Sequence, residues 1–211
     1  MTTLQRSAFQ ARLRALLAMG ALSLAGLPLQ LEAAPQAMPD ADAPVVLVVY
    51  HSLTGNTQTM AEAAAEGAQE VTGVTVELMP VGDATAADVE RAAGIVVASP
   101  THWANLPSAV VDFVNEWPFM GGKVAGAIAT AGNPGGGSEH VLQSLIAAFL
   151  NHGAMIVGPV FEEGGFRFGT MGAAALTGPV GPGVNDAELD SARRLGRRVA
   201  NVVVEGLAGA R

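Results

Sequence analysis

The chain has no cysteine among its 211 residues. That excludes a disulfide framework, a thiolate zinc site and a cysteine nucleophile. Its four histidines, His51, His102, His140 and His152, show no metal-binding spacing and sit in no carboxylate cluster, so no metal is expected. No Gly-Lys-Ser/Thr follows a glycine-rich loop, and no G-x-G-x-x-G opens a helix. That argues against Walker-type nucleoside-triphosphate and Rossmann-type dinucleotide sites. Charged residues are scarce at 14%, while half the residues are apolar. This composition rules out a disordered polar chain and suits a sheet covered by helices on both faces. There is no internal repeat.

What charge there is has one sign in excess, with 19 acidic against 11 basic residues and a formal charge of −8. Such a surface repels nucleic acid and anionic headgroups, so nucleic-acid binding is not expected. Three arginines (Arg6, Arg12, Arg14) precede an apolar run from Ala15 to Leu31, which reads as an export signal over residues 1–37. Pro28 and Gln30 interrupt the run, which favours a cleavable segment over a membrane-spanning helix. No clean A-x-A stands near Ala33, Ala34 and Ala37, so an uncleaved anchor stays open, as does a start codon placed too early. No arginine pair marks the twin-arginine route. The expectation is an exported protein, periplasmic or tethered to the membrane through residues 1–37, with a cytoplasmic one as the alternative. Residues 38–44 are a linker, and residues 45–211 form a single domain.

Within that domain, apolar runs alternate with helical patterns. Strands are expected at Val45–Tyr50, Val74–Met79, Gly94–Ala98, Lys123–Thr130 and Ala154–Val157. Helices are expected at Thr57–Val71, Ala86–Ala92, Pro107–Trp117, from Ser138 as N-cap to Asn151, and Asp186–Leu207. Five strands alternating with helices specify a doubly wound parallel sheet, with its ligand crevice at the carboxyl ends where the strand order reverses.

Three loops should converge there. The first, Ser52-Leu53-Thr54-Gly55-Asn56-Thr57, leads straight into a helix, whose free N–H groups and hydroxyls suit an anion. Without a lysine it suits a phosphate held by neutral donors. A plain turn with Thr57 as N-cap accounts for the same residues equally well. The second loop, Ser99 to Leu106, carries Trp103. The third, Ala131 to Gly137, is rich in glycine, which lets backbone approach a flat ring closely.

These residues resemble the flavodoxin-like superfamily, whose phosphate loop has the pattern S/T-x-T-G-x-T; residues 52–57 match at every position. Pro100-Thr101-His102-Trp103-Ala104-Asn105-Leu106 is similar to the P-T-R-[FY]-x-N-M loop of the WrbA-type NAD(P)H:quinone oxidoreductases, with His102 in place of an arginine. Thr130-Ala131-Gly132-Asn133-Pro134-Gly135-Gly136-Gly137-Ser138-Glu139 resembles that group's S-T-G-T-G-G-G-Q-E loop. His152-Gly153 matches a His-Gly pair, and Phe168-Gly169 follows the same layout. The segment between Trp117 and Lys123 is shorter than in that group, so its subunit contacts do not transfer.

The resemblance implies a flavodoxin-like fold that binds FMN through residues 52–57, Pro100 to Trp103 and Thr130 to Gly136. It implies an NAD(P)H-dependent enzyme that passes two electrons to a quinone or another small acceptor, in an oligomer where His152 meets the substrate space or a neighbour's cofactor. As a lone residue, His152 reads equally as a helix C-cap. A one-electron carrier and a non-enzymatic binding module on the same fold remain alternatives. Arg193, Arg194, Arg197 and Arg198 read as a solvated helix face with i,i+4 pairs such as Asp190–Arg194.

Overall fold

The computed structural model describes residues 43–178 and 183–209. Residues 1–37, read above as an export segment, and most of the 38–44 linker lie outside them.

Strand β1 (Val45–Tyr50) carries no charge and four of its residues are buried. Its neighbours are β2 (Thr75–Pro80), β3 (Ala92–Pro100), β4 (Val124–Ala131) and β5 (Met155–Ile156), all parallel in the order β2-β1-β3-β4-β5. Alternate side chains of β1 enter opposite layers. Val46 and Val48 join one core with helices α1 (Asn56–Gln69) and α5 (Asp186–Gly209), through Met60, Ala64, Leu195 and Val199. Leu47 and Val49 join the other, packed by α2 (Ala86–Arg91), α3 (Ser108–Asn115) and α4 (Ser138–Asn151) through Val89, Phe113, Leu145 and Phe149. The fold is thus the doubly wound parallel sheet expected, with helices on both faces.

All eight residues of β4 are buried, and glycine sets how closely helices approach the sheet. A Cβ at Gly126 would lie 2.9 Å from Leu195 Cδ1, and one at Gly94 would lie 2.8 Å from Val199 Cγ1. Between the helices, a Cβ at Gly67 would strike the Arg193 carbonyl and one at Gly196 the Ala64 carbonyl. A methyl group at any of the four would push α5 off its seat.

Two local expectations need correction. The fifth strand does not run through Ala154–Val157. It pairs with Val124 and Ala125 only as β5, and its place beside Ile128–Ala131 is taken by β8 (Ala173–Leu176). Between the two stands an antiparallel hairpin, β6 (Val160–Glu163) and β7 (Phe166–Gly169), turned by Gly164 and Gly165 at φ 58° and 80°. Positive φ at both turn residues matches the twist of the strands. Second, Ser138 is not the N-cap of α4. Gly137, in left-handed conformation, caps it, and the Ser138 hydroxyl donates to Glu139 instead.

Candidate functional site

The order β2-β1-β3-β4-β5 reverses direction between β1 and β3, so the crevice opens beyond their carboxyl ends. The loops after β1, β3 and β4 meet there.

In the first loop Gly55 holds φ 89° as N-cap of α1, and no side chain caps the helix. Local bonds brace the loop. Ser52 Oγ accepts from the Gly55 N–H at 3.1 Å, and Thr54 Oγ1 accepts from Asn56 Nδ2 at 3.2 Å. The Asn56 Oδ1 accepts from the Gly183 N–H at 2.6 Å, tying the loop to the segment before α5. Thr57, buried, shares a 2.8 Å hydrogen bond with the hydroxyl of Thr130, so the first and third loops are joined through their side chains. The helix N-terminus therefore meets the cleft with its own N–H groups and positive dipole end available.

In the second loop, the Thr101 N–H donates to the Thr130 carbonyl at 2.8 Å. Its hydroxyl Oγ1 is buried with no hydrogen-bond partner. His102 and Asn105 then exchange both backbone hydrogen bonds at 2.9 Å, closing a tight turn. The two residues at its tip, Trp103 and Ala104, have φ 50° and 63°. Bulky residues rarely hold this conformation, and it costs of order 1–3 kcal/mol each. Trp103 is 97% exposed, so packing within the chain does not explain it.

In the third loop, Gly135 and Gly137 have φ 72° and 100°, and the Gly136 N–H donates to the Asn133 carbonyl. A cavity of about 160 Å³ is lined by Leu53, Thr54, Asn56 and Thr57 together with Pro100, Thr101, His102, Thr130, Ala131 and Gly132. A second, of about 490 Å³, lies against Thr101, Trp103, Ala104, Ala131, Gly132, Asn133 and Gly136. Thr101, Ala131 and Gly132 border both. Of the residues expected at the site, Ser52 and Gly55 brace the first loop from behind, and Pro134 and Gly135 complete the third.

His152 is not brought to these loops. It is the C-cap of α4, a helix that begins at the third loop and runs 14 residues, about 21 Å at 1.5 Å per residue, to the other end of the sheet. There its Nδ1 lies 3.2 Å from the Pro118 carbonyl and its ring stands edge-on to Trp117. Within one chain it cannot reach the crevice.

Two residues at the crevice were not expected. Thr177 and Gly178, after β8, line the smaller cavity, and the Thr177 N–H donates to the Ala131 carbonyl at 2.9 Å. Nothing in the sequence marks them, because the interrupted fifth strand conceals that the chain returns to β4. His51, directly before Ser52, is half-buried with its ring edge-on to His102 at 6.3 Å. Burial, and then the charge of His102, lower its pKa from the ordinary 6.5.

The arrangement fits a flat group carrying a phosphate. A helix N-terminus and hydroxyls stand at one end, an orphaned buried hydroxyl in the middle, and an exposed indole with a glycine-lined wall at the other. These features define a mononucleotide crevice on a doubly wound sheet.

Comparison with known proteins agrees. The flavodoxin family model matches residues 48–162. A flavodoxin of Aquifex aeolicus is 36% identical over 163 residues, covering 75% of this chain and 86% of its own. An NAD(P)H dehydrogenase (quinone) of Solidesulfovibrio magneticus is 30% identical, covering 74% of this chain and 96% of its own. Among solved structures, a flavodoxin, WrbA-like protein from Agrobacterium tumefaciens superposes with TM-score 0.60 at 26% identity, over 78% of this chain and 99% of that one. The chain belongs to the flavodoxin family, and its resemblance to the WrbA-type branch stands.

Proposed function

We propose that the protein binds FMN in this crevice and uses it to reduce quinones in two-electron steps with NAD(P)H as donor. The single observation that carries the flavin reading is the cavity of about 490 Å³ between Trp103 and Gly136, which adjoins the phosphate end through Thr101, Ala131 and Gly132 and would take the ring. Its size lies within the roughly 300–1,000 Å³ of small-molecule sites.

Bound FMN supplies the hydride and electron transfer. The side chains hold and shield it. The N–H groups at the start of α1 and the hydroxyls of Thr54 and Thr57 would receive the phosphate, each charge-assisted bond contributing about 1.5–3 kcal/mol before desolvation. The unpartnered Thr101 hydroxyl would donate to a ring oxygen or nitrogen, and the Gly132–Gly136 backbone would meet the ring edge. Trp103 would cover part of one face and leave the acceptor side open. His152 enters this reading only through a second copy of the chain.

Two observations favour the carrier reading. The Trp103 turn projects into solvent, as suits a cofactor edge presented to another protein, and the 36% identical relative bears the name flavodoxin. The visible spectrum of the purified protein, then oxidation of NADH and NADPH with and without benzoquinone, separates the readings. A colourless protein that ignores added FMN ends both. A flavin-loaded protein that oxidises neither nucleotide with benzoquinone present ends the quinone reading and leaves the carrier. Export is proposed on the composition of residues 1–37; a soluble cytoplasmic chain that keeps Met1 on N-terminal sequencing overturns it.

A further inference from the structure

We propose that the cleft between the β6–β7 hairpin and α5 is a second anion site, which binds a phosphate group on a soluble ester or a lipid headgroup. The cleft has a volume of about 470 Å³ and is lined by Val160, Arg167, Arg194, Arg197, Arg198 and Asn201. Among the described residues no carboxylate lines it, although acidic residues outnumber basic ones 19 to 11 in the chain.

The guanidinium groups are held from behind. Arg194 Nε donates to Asp190 at 2.6 Å, Arg197 pairs with Glu70, and Arg167 lies 3.6 Å from Glu162. Arg194 also stands 5.3 Å from the centre of the Phe161 ring, and Arg198 Nη1 donates to the Gly158 carbonyl at 2.7 Å. Arg198 has no carboxylate within 4.0 Å among the described residues. Three of the four arginines have an acid of their own, as on a solvated helix face, but such a face would leave no shared space between them. Here four planar forks from two elements surround one cavity, and the tetrahedral oxygens of a phosphate can accept from several of them at once. Asn201 adds a neutral donor.

The cleft is distinct from the flavin crevice. Helix α5 runs against the strand direction, with Glu188 accepting from the Leu176 N–H at the end of β8 and Val199 and Val203 packed over Gly94 near the start of β3. Arg194 to Asn201 therefore lie over the beginnings of the strands, whereas the three loops lie beyond their ends. A ligand here regulates or anchors the protein and takes no part in the chemistry of the crevice.

The test uses the full chain with FMN in excess, so that the loop site is filled. Pyrophosphate binding is followed by calorimetry, and sedimentation is measured with phosphatidylcholine vesicles with and without phosphatidylglycerol. One pyrophosphate per chain with no vesicle preference assigns a soluble ester; sedimentation only with charged vesicles assigns a headgroup. In either case Arg198→Gln should weaken binding about tenfold or more, the equivalent of one charge-assisted hydrogen bond. Arg167→Gln, whose side chain is 76% exposed, should do the same without disturbing the fold or FMN affinity. The proposal is overturned if neither probe binds, if FMN competes with pyrophosphate, or if Arg167→Gln binds as the wild type does.

Discussion

Gly137 and Ala104 touch backbone to backbone: a Cβ on Gly137 would lie 2.6 Å from the Ala104 Cβ and 2.7 Å from its Cα. The cap of α4 thus seats the turn that presents Trp103, and the second and third loops act as one piece.

Gly137→Ala should therefore do two things. It places a side chain at φ 100° and forces the Trp103 turn aside, costing about 1–3 kcal/mol of stability. Gly73→Ala is the control, with φ 92° and nothing within 4 Å of the added methyl. Both should lower stability in urea unfolding, but only the Gly137 variant should weaken FMN in a fluorescence titration. Equal FMN affinity in the two would separate the turn from the cofactor.

Thr101→Val should have opposite effects on the free and the FMN-bound protein. Its Oγ1 is buried without a partner, so an isosteric methyl removes an unsatisfied group and should raise apoprotein stability by about 1 kcal/mol. FMN affinity should drop about tenfold with the lost donor. Thermal unfolding with and without FMN reads both signs. A variant that binds FMN as well as wild type removes Thr101 from the site.

Trp103→Gly exploits the strain of the turn. Glycine accepts φ 50° freely, and the lost indole is 97% exposed, so apoprotein stability should stay level or rise by a few tenths of a kcal/mol, up to about 1. Flavin affinity and midpoint potential should both shift, since an aromatic face contributes about 0.5–1.5 kcal/mol beyond its area. If neither moves, the indole does not meet the ring.

His51 makes the fold sensitive to acid. Its pKa in the folded protein lies below the ordinary 6.5, so the unfolded chain binds more protons between the two values and stability rises with pH across that interval. The contribution is fully present above 6.5 and is lost as pH falls toward the folded value. His51→Gln should flatten the stability profile on the acid side of 6.5; an unchanged slope there would assign it to other groups.

The parallel sheet was legible because β1, β3 and β4 are buried on both faces and read as unbroken apolar runs. The first loop was legible because a short polar run with Gly55 leads straight into the α1 pattern, although Gly55 and not Thr57 is the N-cap. Two kinds of feature were hidden. The fifth strand was legible but shorter than expected, at Met155–Ile156, whereas Ala173–Leu176 is mostly alanine, so only pairing with β4 makes it a strand. The arginines of α5 show their acidic partners in the periodicity, but the cleft appears only when the hairpin folds against them. His152 stands at the far end of α4 from the third loop, so its expected approach to a cofactor would have to come from a neighbouring chain.

The last helix also sets the order in which the protein can be built. One of the two cores needs Leu195, Val199 and Val203, which follow every strand of the sheet in the sequence. During synthesis, β1, β3 and β4 therefore exist for a time with that apolar face covered by α1 alone. Until α5 has been made such a nascent chain cannot complete its fold, and it offers sticky strands to chaperones or to a neighbouring nascent chain. Truncation near Asp186 should trap this condition permanently, so a premature stop late in the gene would yield an aggregating product rather than a shortened working one.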